Sequence, residues 1–442
     1  MKPKSTGSSW IWVFLCVFAS SLVPEYIAPF FITIGYIIFL KEQKSKAVKI
    51  KLGILGKTEF LFFGFMLLTA LWSPTKLFSA AMAGLWMWMY LIQLMLANTC
   101  NTLAKLRRAM SYFSAGAAVA GLIGIVQFAA RFIALKLETK ALIPDPLYQK
   151  IDTIVYGLMP FSIKDVFFPD RSSSTYSNPN IFASLLVIAL PIALYLLITS
   201  KTKNGRIVHL CSTVFIFLGI ASTKTRIAFI GIMVCLILFL FAFERKHRKS
   251  LFILVVVAFV VIVPFILSRF KGTFQAADDL TFEIIFETIL GGKSSKTHFK
   301  IWHACFDYLK DNPLVLFFGR GAGVENTWDV LLNLYGINHP HAHNIIIETI
   351  MQCGLVGLGF FIAPAVIFLK QTVQMLKLHS KHARLLAVTF LNVFVCFNII
   401  GITDYLFNSP KQIMILFIVA GLAQAAYKYF LESEKSACAE TK

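Results

Sequence analysis

The sequence predicts an all-α, polytopic membrane protein of about twelve transmembrane helices, forming a single integral domain over residues 1–442. Three observations carry this prediction. Of the 442 residues, 57% are hydrophobic and only 14% are charged, against ~25% charged in a soluble domain. The apolar residues gather in runs of about 17–25, long enough to cross ~30 Å of hydrocarbon. The basic residues fall on alternate loops between those runs, as expected when Lys and Arg stay on the cytoplasmic side.

In order, the runs lie at about 10–23, 26–40, 58–72, 80–97, 109–133, 181–199, 207–222, 226–243, 251–267, 344–369, 384–402 and 411–430. The first two are short and are divided by Pro24 and Glu25. The first run can direct insertion itself, and no small-residue cleavage site follows Lys4. The eight cysteines form no CxxC pair and sit mostly inside apolar runs, so they read as small buried hydrophobes.

The net charge of +20 does not require nucleic acid as a partner, because topology accounts for it. With the N-terminus inside, the cytoplasmic segments and tails hold 25 of the 42 Lys and Arg residues. The short outer loops, such as Val23-Pro24-Glu25 and Ser73-Pro74-Thr75-Lys76, are almost free of them. Both termini are therefore expected in the cytoplasm.

Two outer loops are long, at about 132–180 and 268–343. Such loops are uncommon unless functional. In the second, Phe299, Trp302, Phe306 and Leu309 recur at helical spacing, and Asp311-Asn312-Pro313 ends the pattern. This predicts one amphipathic helix, lying on the membrane surface or packed on the bundle.

Four outer-face constellations could carry chemistry. Residues 171–180, RSSSTYSNPN, place Arg171, hydroxyls and capping asparagines, Asn180 among them, at the entry of a span, a ready anion site. Lys224 and Arg226 lie in a loop of a few residues and break the positive-inside pattern, which a local anion would justify. Arg320 stands in a glycine-rich turn, Gly319 to Gly323, whose free amides would suit phosphate. His339, His341 and His343 alternate just before Asn344 and a long apolar run. Histidine there suits proton transfer near neutral pH. HExxH spacing is absent and few carboxylates share the loop, so no metal site is expected. His343 is the preferred residue, with His341 beside it and His339 in the loop. Asp404 and Lys411 flank the last outer loop, where Asp404 could pair with an arginine.

Taken together, these residues resemble a known family. RSxxTxxNPN at a span entrance, TKTR at residues 223–226, Trp302 with Gly319-Arg320-Gly321, then His341-x-His343-Asn344 with Glu348 and GlyLeuValGly at 354–357, look like the O-antigen ligase and polymerase superfamily. The resemblance covers about residues 165–430. It implies a membrane glycosyltransferase of the C-type architecture, inverting and independent of metal and cofactor. The implied donor is a glycan on an undecaprenyl-diphosphate carrier. The implied acceptor is a hydroxyl on lipid A core in ligases, on another carrier-linked glycan in polymerases, or sometimes on a protein. The implied place is the outer face of the bacterial cytoplasmic membrane. Carried over, Arg171, Arg226 and Arg320, with Lys224, would hold the diphosphate. His343 would act on the acceptor hydroxyl, with Asn180, Asn344 and Asp404 in support. An arginine usual before the loop tryptophan is replaced here by Lys300 and His298. Lys300 would supply a point charge in its place.

The alternative reading is a transporter or flippase of lipid-linked glycans. That would place ionisable groups at mid-membrane, whereas the charges here collect at the outer edge. A scaffold would leave Lys224 and Arg226 unexplained.

Overall fold

A computed structural model describes residues 9–23, 27–47, 49–138, 171–176, 178–242 and 293–440. Among them the protein is all-α and polytopic. The helices are α1 (Ser9–Ser20), α2 (Ala28–Ser45), α3 (Gly53–Thr69), α4 (Lys76–Thr99), α5 (Leu103–Glu138), α6 (Pro179–Thr199), α7 (Lys203–Thr223) and α8 (Arg226–Ala242). After the undescribed stretch come α9 (Lys293–Asp311), α10 (Pro313–Phe318), α11 (Val324–Tyr335), α12 (Ile345–Leu376), α13 (Lys381–Gly401) and α14 (Pro410–Glu440).

Eleven of the expected runs coincide with helices, while 251–267 lies outside the described residues. By length and composition, seven of the described helices can cross a membrane. Two shorter apolar stretches, Trp10–Ser20 and Arg226–Leu240, accompany them.

The bundle is built around α6. Its apolar window is 89% buried, so the most hydrophobic of the seven described membrane-length helices meets protein rather than lipid. Asn178 caps it, its side chain accepting from the Asn180 amide, and Pro179 takes the first turn, where a missing N–H costs nothing. Helices α5 and α7 pack closely beside it. A Cβ on Gly219 would lie 2.8 Å from the Gly121 Cα, the close approach that small residues permit between membrane helices.

The long loops are more structured than expected. Helix α5 continues to Glu138, beyond the predicted end at 133. Of the segment 268–343, the described residues from Lys293 onward hold three helices rather than one. Of these, α9 ends at Asp311 as predicted, but its buried face is different. Ile301, Ala304, Cys305, Tyr308 and Leu309 are covered, whereas Phe299 and Phe306 are more than half exposed. The aromatic stripe competed with a second stripe of smaller apolar residues, and the smaller side chains fit the close contact with α11 and α12.

Helix α12 is broken. Gly354 has φ 67° and ψ −175°, which separates 345–353 from 355–376. A Cβ there would meet the Phe317 carbonyl at 2.3 Å, so glycine is required by both conformation and contact. The break exposes two carbonyls, and the glycine-rich turn takes them up. The Arg320 amide donates to Met351 O and the Gly321 amide to Gln352 O.

Candidate functional site

Asn344 sets the site by capping α12. Its side chain accepts from the Ile346 and Ile347 amides, and its own amide donates to Ile402 O at 3.0 Å. The cap therefore ties the histidine loop to the loop carrying Asp404. Just before it, His343 adopts φ 50°, a left-handed conformation costly for a residue with a Cβ. Ser174 and Lys224 share that conformation. Three of the four such residues among those described thus lie in the loops singled out above, and strain of this kind gathers at functional sites.

The side chains converge in a chain of contacts. His343 Nδ1 lies 3.1 Å from Asp404 Oδ1. The other Asp404 oxygen accepts from the Asn180 amide at 3.2 Å. Asn180 Oδ1 in turn accepts from the Arg171 guanidinium at 2.6 Å. Arg171 also donates to the Thr225 hydroxyl and to Thr223 O. So Asp404 pairs with histidine rather than directly with an arginine, and Arg171 reaches it through Asn180. Burial pushes the Asp404 carboxyl up. The hydrogen bond and charge of His343, with His341 and Asn180, outweigh this and hold it below its ordinary value. An ionised Asp404 accepts only, so Nδ1 of His343 donates to it and Nε2 is left for another partner. Nε2 makes no hydrogen bond to the described residues.

Three more histidines surround His343. The His298 ring stacks on it, with centroids 4.7 Å apart. His341 lies edge-on at 4.2 Å and His339 at 5.4 Å, so His339 belongs to the cluster and not simply to the loop. His341 is buried, and its Nδ1 accepts from the His343 amide at 3.2 Å. Burial, then the neighbouring His343, lower both the His341 and His298 pKa values to about 4, so both rings are neutral at pH 7. The charge of Arg226 also helps to hold His298 down, which places Arg226 within electrostatic reach of the cluster.

Lys300 does not take the expected place. Two residues along α9, it is rotated ~200° from His298 and is exposed. His298 and Trp302 face the site instead, and the Trp302 indole donates to Ala342 O at 2.8 Å.

Arg320 and its turn also differ from expectation. The guanidinium donates to the Tyr308 hydroxyl at 2.7 Å and pairs with Asp329. The turn amides are not free. Besides the two that cross the helix break, Ala322 N donates to the Thr69 hydroxyl and Gly323 N to the Gln352 side chain. Likewise the Ser172 and Ser174 hydroxyls donate to backbone carbonyls of α5, which stitches the 171–176 segment to the bundle. Lys224 sits over the Phe128 ring at 5.5 Å.

Two buried groups beneath the loop were not assigned from sequence. Glu348 accepts from the Ala342 amide, the Thr327 hydroxyl and the Gln352 amide, each at 2.7 Å. Lys411, fully buried, donates to Thr175 and lies 3.8 Å from the centre of the Tyr176 ring. A fixed charge at the end of an apolar run is the signal that could have found both.

His341, His343 and Asp404 bring ligand atoms within 4.8 Å of one another, a set able to hold a metal ion. The spacing argument missed it because Asp404 arrives from a distant loop.

Residues 211–362 match the family model described as O-antigen ligase. The match over these residues supports the O-antigen ligase superfamily. No curated protein matches the chain. The match supports a ligase- or polymerase-type function in a bacterial envelope membrane, with lipid-linked glycan and polysaccharide partners in general. The O-antigen ligase segment is narrower than the 165–430 expected. It includes Lys224, Arg226, His298, Arg320 and the histidine loop. Arg171, Asn180 and Asp404 lie outside it, yet the fold brings all three to His343.

Proposed function

We propose that this protein transfers a glycan from an undecaprenyl-diphosphate carrier to an acceptor sugar hydroxyl, as a ligase or a surface-polysaccharide polymerase, with inversion and without a metal. The observation that carries the reading is the His343–Asp404 pair, 3.1 Å apart, with Nε2 making no hydrogen bond to the described residues. Nε2 takes the acceptor proton as the acceptor oxygen attacks the anomeric carbon from the face opposite the diphosphate. The bond from that carbon to the carrier's phosphate oxygen breaks, and its electrons remain on the diphosphate. Arg226 and Lys224 stabilise the charge that develops there, which preorganised cations do best where water is scarce. Arg171 holds Asn180 against Asp404 and adds positive charge behind the pair. Arg320, already committed to Asp329, serves the architecture of the turn. The site faces the outer side of the cytoplasmic membrane, and both termini lie inside, in keeping with the basic loops.

The test is transfer by purified protein in vesicles, with a lipid-linked glycan as donor and products resolved on gels. His343→Ala is expected to insert normally and to lose transfer. Full activity in that variant would remove His343 from the mechanism. A chelator is expected to leave transfer intact. Loss restored by a divalent ion would instead make His341, His343 and Asp404 metal ligands. In a deletion strain, single-unit chains identify a polymerase, and full-length unattached chains identify a ligase.

A further inference from the structure

Among the described residues, the apolar surface formed by α10 and the adjoining end of α3 has no protein cover. Leu314, Phe317 and Phe318 of α10 are 77%, 51% and 45% exposed. Leu71 and Trp72, just past α3, are 69% and 41% exposed. These side chains form one surface: the Trp72 and Phe318 rings lie 6.4 Å apart, and the Trp72 indole donates to Gly319 O at 3.0 Å.

The depth of this surface follows from the break in α12. Residues 355–376 alone extend ~33 Å, which fills a hydrocarbon layer of ~30 Å. The membrane boundary therefore lies near Gly354. Helix α10 is locked at that level, since Gly354 and Gly319 leave no room for a Cβ between the two segments. A tryptophan with a half-exposed ring and a bonded N–H is the residue type that collects at such boundaries.

We infer that α10, with Leu71 and Trp72, is an interfacial anchor that inserts into the lipid leaflet on the side of the candidate site. Its partner is the bilayer itself, because the surface is continuous with lipid-facing positions of α3 such as Leu67, 48% exposed. The anchor fixes the height of α9, and so of His298 and Trp302, relative to the membrane surface. This inference does not depend on the proposed reaction.

Nitroxide labels at Leu314→Cys and Phe317→Cys test it, with Cys211 and Cys438 changed to serine. The protein is placed in phosphatidylethanolamine–phosphatidylglycerol vesicles, and collisions with oxygen and with a water-soluble nickel complex are compared. Leu67→Cys is the lipid reference and Lys310→Cys the aqueous one. Both test positions are expected to favour oxygen severalfold, as Leu67→Cys does. A nickel-dominated response like that of Lys310→Cys would overturn the inference. Low collision rates with both reagents would overturn it too, since they would mean a covering protein surface. Because no glycan is involved, failure of the proposed reaction would leave this result unchanged.

Discussion

The His298 ring lies nearly parallel to that of His343, with planes 10° apart and centroids 4.7 Å apart. Asp404 holds one edge of His343 and His298 covers one face. Together they fix the direction of Nε2. The stack comes from α9, an element remote in sequence from the histidine loop.

If His298 orients His343 by stacking, an aromatic ring should replace it. His298→Phe is expected to keep most of the activity. His298→Ala loses the stack, worth ~1 kcal/mol, and should lower kcat about 5–10-fold with little change in KM. Steady-state kinetics of the two variants check this. Equal loss in both would show that the imidazole nitrogens matter rather than the face.

Asp404→Asn keeps the shape and removes the charge. Without a carboxylate the tautomer of His343 is no longer fixed, and its protonated form loses its counter-charge. Transfer is expected to fall about 10²–10⁴-fold in kcat, with donor binding retained. A loss confined to KM would place Asp404 in binding and not in proton handling.

Protonation of the buried histidines should destabilise this region before Asp404 is protonated. His341 and His298 drop from 6.5 to about 4 on folding, chiefly through burial. Their folded values are lowered, so the unfolded chain binds more protons between pH 6.5 and 4. The contribution of the two histidines is then full above about 6.5 and declines as pH falls toward 4, offset in part by Glu348, whose carboxyl burial raises to about 7 and which adds stability as pH falls from there. Asp404 adds a further loss only below its ordinary value of 3.8. Thermal unfolding in detergent across this range should show the decline, and His341→Asn should flatten it. A flat profile in the unsubstituted protein would contradict the burial argument.

The two arginines of the family segment should behave differently. Arg226→Ala is expected to abolish transfer, because the remaining Lys224 offers the reacting phosphate a point charge and not a bidentate contact. Arg320→Ala should retain transfer within about tenfold and cost ~1 kcal/mol of stability, the order expected for a half-exposed ion pair. Parallel activity and unfolding measurements separate the two roles. Equal loss of activity would return Arg320 to the diphosphate site.

Much of this was legible in the sequence, and the rest was hidden for physical reasons. Run length suffices to read the described span helices, because hydrocarbon thickness imposes it. The loops bearing Arg171, Lys224, Arg226 and His343 stand out because charge near lipid is costly. What a one-dimensional reading lacks is direction around a helix. The stripe from Phe299 to Leu309 and the stripe from Ile301 to Tyr308 are both helical, and only packing chooses between them. The same ambiguity favoured Lys300 over His298. Glu348 was visible as part of a motif, but its work is to hold the Ala342 amide, a contact that no spacing rule reports. Free amides were expected at Gly319 to Gly323, where the broken end of α12 in fact uses them.

The break at Gly354 also isolates the site mechanically. A straight helix would carry any tilt of its membrane span directly to Asn344. Here the 22-residue span can tilt as bilayer thickness changes, while 345–353 stays pinned by the Arg320 and Gly321 amides and by the bonds from Glu348. The loop that carries His343 is thus suspended from the glycine-rich turn and α11 and not from the span, and the alignment of its imidazole should tolerate changes in lipid composition.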